Sequence, residues 1–467
     1  MLLLVLAVGN YLVRTVDKTG PAEPLEITGD AAQYLRMAWN LQRHGVLSQD
    51  EADTPRPAPT AYRCPGYPVF LALFMVADET RRKLPLSAYN NTSHPALSRI
   101  ELWQRLLYLT TGVGAMLLTW RLTDNRWAAL VCLVLVLFVS YFRRMPNYPF
   151  SENLIAFGVV WTALACAWAA HRGRWYTGVA AGLALAGLTL SRAVFLYATP
   201  VVALAVALWV WRRGRPYRRS LPAAAAFALA FTIPVGGWMT RNYAHFDRFY
   251  LTGRGGGVLS IRAEINEMTA TEYAAAFLYW GNSWTTRSWA REHLLPRVFE
   301  REDYQRFDRA RTNTTGFYQS ARRRKDELYE LHDGDRAAAD KALTAEAKRR
   351  ILRHPVRHLL ASIPLAYRGL CVEKYLALSL LLFAGAVGAA VIAWRRRSAP
   401  LAAALLVPGF SYAFHTGLTH NLARYNTPLV PALWAFVVVA CHHLIARRRN
   451  AAVAPTASDT PDAAEVP

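Results

Sequence analysis

Residues 153–170 read NLIAFGVVWTALACAWAA, and residues 374–394 read KYLALSLLLFAGAVGAAVIAW. Each stretch has about the 20 mostly apolar residues that an α-helix needs to cross a bilayer. A helix satisfies all its backbone N–H and C=O groups internally, which the interior of a bilayer requires. These two stretches therefore predict an all-α membrane protein.

The composition agrees with this prediction. Of the 467 residues, 53% are hydrophobic and 18% are charged, whereas a soluble globular domain has about 25% charged residues. A disordered chain and an ordinary soluble enzyme are thereby excluded. The net charge is +22, from 54 Lys and Arg against 32 Asp and Glu. In a chain with long apolar runs, basic residues more often set membrane topology than bind nucleic acid, so we expect no nucleic-acid partner.

Further apolar stretches predict a polytopic protein with about ten transmembrane helices. The N-terminal run is short, and we interpret it as the end of a first span. The ten predicted spans are residues 2–13, 102–120, 127–142, 153–170, 176–191, 193–211, 221–240, 374–394, 401–414 and 426–446.

Arginine clusters follow alternate spans and predict the orientation of the chain. By the positive-inside rule they place both termini in the cytoplasm, so the protein is expected to be a multi-pass protein of the inner (plasma) membrane. The sequence predicts four units. Residues 1–240 form a transmembrane catalytic module with spans one to seven, and residues 241–370 form an extracytoplasmic, mostly helical domain. Residues 371–449 contain spans eight to ten, and residues 450–467 form a disordered cytoplasmic tail.

The first outer segment, residues 17–100, contains a candidate catalytic acid. Asp30 precedes an amphipathic helix that begins at Ala31 and is expected to lie on the membrane surface with Tyr34 on its apolar face. The carboxylate could be only a helix N-cap, or it could accept a proton from a hydroxyl group. Further on, Pro65, Gly66 and Pro68 interrupt YRCPGYPVFLALFMVA at residues 62–77, which predicts a re-entrant or surface helix with Arg63 at the rim of a cavity.

Other ionisable residues stand at the outer ends of spans. Glu152 begins the fourth span and is either a solvated cap or a functional acid. Arg192, Arg241 and Arg424 could each anchor a helix at the head-group level. Together they offer guanidinium groups suited to binding phosphate. His415 and His420 lack a metal-ligand spacing, so we expect them to form hydrogen bonds or to have no special role.

These pieces, in this order, resemble the GT-C class of membrane glycosyltransferases. The similarity is greatest to the bacterial branch related to the protein mannosyltransferases and to the aminoarabinose transferase of lipid A. It covers roughly residues 1–260 and 355–445. The matching motifs are Gly29-Asp30…Tyr34…Leu41…Gly45, Arg63-Cys64-Pro65-Gly66-Tyr67-Pro68, Ser151-Glu152-Asn153-Leu154, Gly187-Leu188…Ser191-Arg192, Arg241-Asn242-Tyr243…Phe246 and Arg424-Tyr425…Pro428…Pro431.

The resemblance implies an enzyme that moves a hexosyl or pentosyl group from a polyprenyl-phosphate donor to a lipid, glycan or protein acceptor in the cell envelope. It assigns catalysis to Asp30 as general base, with Glu152 as a second acid. The donor phosphate would meet Arg63, Arg192, Arg241 and Arg424, and the expected substrate-binding residues are Tyr34, Tyr67, His415, His420 and Tyr425. Many members carry a second acid directly after the first; here that position is Ala31. We therefore expect no cofactor, although a divalent metal remains an alternative.

Two other classes of protein compete with the enzyme interpretation. A transporter or flippase of lipid-linked sugars would carry ionisable groups near mid-span and repeated halves. A membrane scaffold would give no reason for acids and arginines to gather on one side. The crowding of ionisable residues at the outer ends of clean apolar spans favours the enzyme.

Overall fold

The computed structural model describes residues 29–51, 54–75, 95–202, 217–253, 255–281 and 289–453, together with Ala7 and Gly9. The chain is all-helical, with 81% of residues in helices and no strand in the described part. In chain order, the α-helices of four or more residues are α1 Gly29–His44, α2 Gly66–Met75, α3 Pro95–Thr123, α4 Arg126–Val134, α5 Glu152–Arg172, α6 Trp175–Ser191, α7 Tyr217–Phe246, α8 Gly256–Ile265, α9 Ala270–Tyr279, α10 Leu295–Val298, α11 Phe317–Leu331, α12 Arg336–Arg353, α13 Pro355–Leu370, α14 Leu376–Arg395, α15 Ala399–Leu418, α16 Ala423–Asn426 and α17 Val430–Val453.

Five helices are long and apolar enough to cross a membrane, as is expected of a membrane protein. They are Glu152–Arg172, Leu221–Phe246, Leu376–Arg395, Ala399–Leu418 and Ala423–Asn450. Each contains one of the predicted spans or most of it.

The remaining predicted spans do not reach this standard. Helix α3 covers residues 102–120, but Gln104 and Arg105 make it less apolar. The apolar helices Arg126–Val139 and Trp175–Ser191 are shorter than a typical span. Residues 203–211, and 2–13 apart from Ala7 and Gly9, lie outside the described residues. The total of about ten spans therefore stays a prediction.

Helix α5 lies at the centre of the apolar bundle and packs against α3, α6 and α15. Beside it, α6 and α7 approach each other closely because Gly178 and Gly182 are four residues apart on one face of α6. A Cβ atom at either position would overlap the backbone carbonyl of Ala223 or Phe227. Small residues at this spacing allow helix backbones to approach in membranes, where the hydrophobic effect adds little to helix association.

Helices α1 and α2 form a second packed unit, in which Tyr34 and Leu35 lie against Tyr67 and Leu71. The apolar face of α1 is therefore covered by protein, whereas the sequence suggested that it faces the membrane surface. The reason is that α2, a short apolar helix of ten residues, buries its own apolar side chains by packing against this face of α1.

The segment after α7 folds into several helices with a core of its own, which includes Ile265, Phe307, Phe317 and Leu365. We call this segment, residues 247–370, the polar-segment domain. Its helical character agrees with the sequence. Its last helix, α13, leaves an apolar stripe exposed along one side: Leu352 at the end of α12, then Val356, Leu359, Leu360 and Ile363. This spacing is typical of a helix that lies in a membrane interface.

Candidate active site

A cavity of about 1190 Å³ opens between α1, the polar-segment domain and the loop that joins α15 to α17. Asp30, Gln33, His420, Arg424 and Tyr425 are among its lining residues. The cavity therefore brings residues from the first 35 positions of the chain together with residues beyond position 419.

Asp30 owes its position to the start of α1. Gly29 has a φ of +66°, a left-handed conformation that glycine adopts at little cost. Asp30 follows in the first helical turn, and its side chain is 37% exposed. One carboxylate oxygen forms an ion pair with Arg63 Nη2, and the other lies 3.8 Å from Arg424 Nη1. Two guanidinium groups thus face the carboxylate that the sequence singled out.

Arg63 is held by the turn that precedes α2. At Gly66, a Cβ atom would meet Ser191 Oγ at 2.6 Å and the Leu190 carbonyl oxygen at 2.9 Å, so only glycine fits against the end of α6. The Arg63 guanidinium lies 5.1 Å from the centre of the Tyr34 ring. Burial lowers the pKa of Arg63, but Tyr34 and Asp30 beside it outweigh that effect and raise the pKa above its ordinary value. Arg63 is therefore permanently charged.

Arg424 joins the two predicted acids. Its Nε atom forms an ion pair with Oε1 of Glu152, whose side chain is only 4% exposed. Glu152 is the first residue of α5, and its Oε2 atom is buried with no hydrogen-bond partner among the described residues. The Arg424 guanidinium also lies 4.2 Å from the centre of the Phe150 ring. One guanidinium group thus stands between the carboxylates of Asp30 and Glu152.

The loop that carries Arg424 is fixed by two asparagines. The Asn421 Nδ2 atom donates to the Leu365 carbonyl at 2.8 Å, and the Asn426 Nδ2 atom donates to the Gly369 carbonyl at 3.2 Å. A Cβ atom at Gly369 would overlap both amide groups. Helix α13 therefore sets the position of this loop.

Arg262, in α8, fixes the same loop from the polar-segment domain. This arginine is fully buried, and its Nη1 atom donates to the carbonyls of Thr416 at 2.9 Å and Thr419 at 3.2 Å. Its Nη2 atom donates to the carbonyl of His358 at 2.8 Å and to Ser362 Oγ at 2.6 Å. Burial lowers the pKa of Arg262 to about 10, so it keeps its charge at neutral pH. The domain is thus joined to the end of α15 directly beside the cavity.

A second group of predicted residues adjoins the first through Tyr425. The Arg192 Nη1 atom donates to the Tyr425 carbonyl at 3.3 Å, and the Arg192 guanidinium lies 5.0 Å from the centre of the Tyr425 ring. The Tyr425 hydroxyl and His420 Nε2 are 2.9 Å apart, and the rings of His415 and Tyr425 are 5.0 Å apart. His415, His420 and Arg192 therefore support the tyrosine next to Arg424.

Of the eleven predicted site residues, Asp30, His420, Arg424 and Tyr425 line the cavity, and the other seven do not. Tyr67 is fully buried and packs edge-on against Tyr34, with ring centres 5.0 Å apart; it supports the site from behind. Arg241 donates to the Thr60 carbonyl at 3.2 Å and to Asn242 Oδ1 at 2.9 Å. Arg241 lies in α7, so the bond to Thr60 joins this helix to the loop before Arg63, and Arg241 does not line the cavity.

Other residues of the site were missed by sequence reasoning. Gln33 accepts from the Arg63 Nε atom at 3.1 Å; its position three residues after Asp30, one helical turn on, was the available signal. Glu373 is a buried acid that lines the cavity and accepts from Ser140 Oγ at 2.9 Å. No motif in the sequence marked Glu373.

The site residues do not fit a divalent metal ion well. Metal sites of this kind use several free carboxylate oxygens, whereas Asp30 and Glu152 both face guanidinium groups. Within the described residues, no group of three or more His, Cys, Asp or Glu could hold a metal ion.

Comparison with known proteins relates this fold to a membrane enzyme. No protein-family model and no curated protein sequence matches the chain. Its fold resembles that of the oligosaccharyltransferase AglB from Archaeoglobus fulgidus in complex with an inhibitory peptide and a dolichol-phosphate, with a TM-score of 0.51 and 14% identity over 97% of this chain and 52% of that one. An Archaeoglobus fulgidus oligosaccharyltransferase tethered with an acceptor peptide gives a TM-score of 0.52 and 13% identity over 96% of this chain and 50% of that one.

This likeness defines the fold of the chain. The archaeal enzyme is a GT-C class glycosyltransferase, so the resemblance found in the sequence motifs is supported at the level of fold. The relation to the bacterial branch stays a prediction. The chain spans about half the length of these solved structures.

Proposed function

We propose that this protein is a membrane glycosyltransferase that moves a sugar from a polyprenyl-phosphate donor to a lipid, glycan or protein acceptor on the outer face of the inner membrane. The observation that carries the proposal is the ion-paired cluster of Asp30, Arg63, Glu152 and Arg424, in which Asp30 and Arg424 line the cavity. These residues are far apart in the chain, and an ion pair alone would not require Asp30 and Arg424 to line a space of about 1190 Å³. The shared fold with an oligosaccharyltransferase points to the same chemistry.

The proposed reaction is a direct displacement at the anomeric carbon. The acceptor oxygen forms the new glycosidic bond while its proton passes to the Asp30 carboxylate. The bond between the anomeric carbon and the phosphate oxygen breaks, and its electron pair leaves with the polyprenyl phosphate. A single displacement of this kind inverts the anomeric configuration.

Arg63 and Arg424 would stabilise the leaving group. Negative charge grows on the phosphate in the transition state, and preorganised cations lower the energy of that state. The same two guanidinium groups keep Asp30 ionised, which weakens it as a base. A bound phosphate would offset their charge, so Asp30 would become a stronger base only when the donor is present. Because Arg424 supplies the positive charge between the two acids, we propose that no metal ion is needed.

The location of the site suits a donor with a polar sugar and an apolar carrier. The apolar stripe of α13 is exposed on the same helix that positions the Arg424 loop. If this stripe lies in the membrane interface, the cavity opens where lipid meets water. We propose ten spans with this face outward, as the arginine distribution predicts.

Complementation of a deletion strain would test the proposal. We expect the strain that lacks the gene to accumulate a polyprenyl-phosphate-linked sugar and to lose one sugar from an envelope lipid, glycan or protein. The wild-type chain should restore the lost sugar, and Asp30→Asn should not. Asp247→Asn is the matched control, because Asp247 is an exposed aspartate with a φ of +53° that asparagine tolerates. Restoration by Asp30→Asn at equal expression would refute Asp30 as the base, and a deletion strain with unchanged lipids and glycans would refute the transferase.

A further inference from the structure

One face of the cavity is formed by basic residues of the polar-segment domain and of the turn after α13. We call it the basic face; it consists of Arg309, Arg311, Arg322, Lys325 and Lys374. All five are exposed to solvent. In the part of the chain that the structure describes, none of the five takes part in an ion pair.

Other arginines of the same domain are paired with acids. Arg306 lies 3.2 Å from Glu272, and Arg324 lies 2.8 Å from Glu346. Arg350 makes ion pairs with two glutamates. These arginines are therefore neutralised by Glu264, Glu267, Glu272 and Glu346, none of which lines the cavity.

Helix α11 contributes a row of residues to the cavity. Tyr318, Arg322 and Lys325 recur at i, i+4 and i+7 and line it. Arg322 also borders a smaller depression on the surface, together with Arg323, Asp326, Glu327 and Glu330.

Four acids line the cavity: Asp30, Glu292, Asp340 and Glu373. Asp30 is paired with Arg63 and Arg424, and Lys325 acts electrostatically on the Asp340 carboxylate. Asp340 accepts from the backbone N–H groups of Gly255 at 3.3 Å and Gly256 at 3.0 Å. Glu373 is buried and accepts from Ser140. The basic residues that line the cavity outnumber the acids, and a concave surface with an excess of one sign of charge attracts ions of the other sign.

We propose that the cavity binds an acceptor that carries a phosphate or carboxylate group, and that the basic face recognises this group. The inference rests on the proposed function and names the acceptor class for it. The reactive hydroxyl of the acceptor would lie at Asp30, and its anionic group would lie against Arg322 and Lys325. Arg309, which lies 4.3 Å from the centre of the Tyr318 ring, would extend this contact.

The donor is the other possible source of phosphate, so the experiment separates the two. The full-length chain is placed in phosphatidylcholine nanodiscs with and without undecaprenyl phosphate. Binding of maltohexaose and of a phosphorylated maltohexaose is then measured at 50 and 300 mM salt. We expect the phosphorylated probe to bind at least tenfold more tightly at low salt, and this preference to shrink at high salt because exposed charges are screened.

The double variant Arg322→Ala/Lys325→Ala should lose the preference and still bind undecaprenyl phosphate. The control Arg323→Ala removes a neighbouring arginine that borders the smaller depression and does not line the cavity. This variant should bind both probes like the wild type. Equal binding of the two maltohexaoses, or an unchanged preference in the double variant, would overturn the proposal. Loss of undecaprenyl phosphate binding alone would assign the basic face to the donor and would also overturn it. Asp30→Asn should keep the preference, so a failed transferase and a failed acceptor site give different results.

Discussion

Replacement of Arg424 by methionine tests the arrangement of the site most directly. Methionine keeps much of the length and the packing over Phe150 but removes the guanidinium group. Glu152, with its side chain 4% exposed, then loses its charged partner. Loss of one partner of a fully buried ion pair costs about 3–5 kcal/mol. The Arg424 side chain is 38% exposed, and solvent screening reduces such values, so we expect a loss of about 1–3 kcal/mol of unfolding free energy.

A double-mutant cycle separates this electrostatic effect from lost packing. Glu152→Gln removes the charge that Arg424→Met leaves unpaired, so the double variant should be more stable than Arg424→Met alone. Unfolding of the full-length chain in detergent, followed by tryptophan fluorescence, measures all four proteins. Effects that add within about 0.5 kcal/mol would show that the two side chains do not interact, and the bridged site would then be refuted.

Activity should not follow stability in this cycle. The double variant lacks the guanidinium that faces Asp30 and the donor phosphate, so it should stay inactive in the complementation strain. Arg424→Lys should recover stability better than activity, because all donors of an ammonium group lie on one nitrogen, whereas Arg424 faces Asp30 and Glu152 with two separate nitrogens, Nη1 and Nε. Full activity in the double variant would show that Arg424 serves only to neutralise Glu152.

Three further predictions concern the surroundings of the site. Gly29→Ala should lower the free energy of unfolding by about 1 kcal/mol because of the φ of +66°. It should also lower sugar transfer, because Asp30 follows directly. Unchanged transfer with a measurable loss of stability would show that the turn does not orient Asp30. Burial and Arg262 lower the pKa of His358, so the unfolded chain binds a proton there more readily than the folded chain. The contribution of His358 to stability should therefore be lost as the pH falls below about 6.5. Between pH 7.5 and 5.5, the free energy of unfolding should fall more for the wild type than for His358→Gln, and equal falls would contradict this. Chelation with EDTA should leave transfer intact, and a loss restored by added divalent metal would contradict the role given to Arg424.

Membrane spans could be predicted from the sequence because their cause is local. Helix Glu152–Arg172 extends the predicted 153–170 by one residue at its start and two at its end. Lipid offers no hydrogen-bond partner to the backbone, so a run of apolar residues must form a helix wherever it lies in the fold. The predicted bounds agree less well with α3 and α4. The predicted span 102–120 is part of a longer helix, Pro95–Thr123, and the predicted span 127–142 changes to a π-helix at Leu135–Val139.

The candidate site was only partly visible in the sequence. Position at the ends of spans selected Glu152 and Arg424, and position before a surface helix together with the family resemblance selected Asp30; the structure brings the three together. The same criteria selected Arg241, which instead holds the loop at Thr60. Nothing in the sequence distinguishes Arg241 from Arg424, because each lies next to the end of a predicted span.

The sequence by itself therefore determined the all-helical fold class and the apolar helices, and it placed Asp30 at the start of α1. Tertiary structure alone decided which arginines meet that acid, and that basic side chains from the polar-segment domain line the same cavity. The physical reason is that a span depends on the solvent around a single segment. An ion pair or a cavity depends on the close approach of distant segments, such as Gly66 against the end of α6 and Gly369 against Asn421.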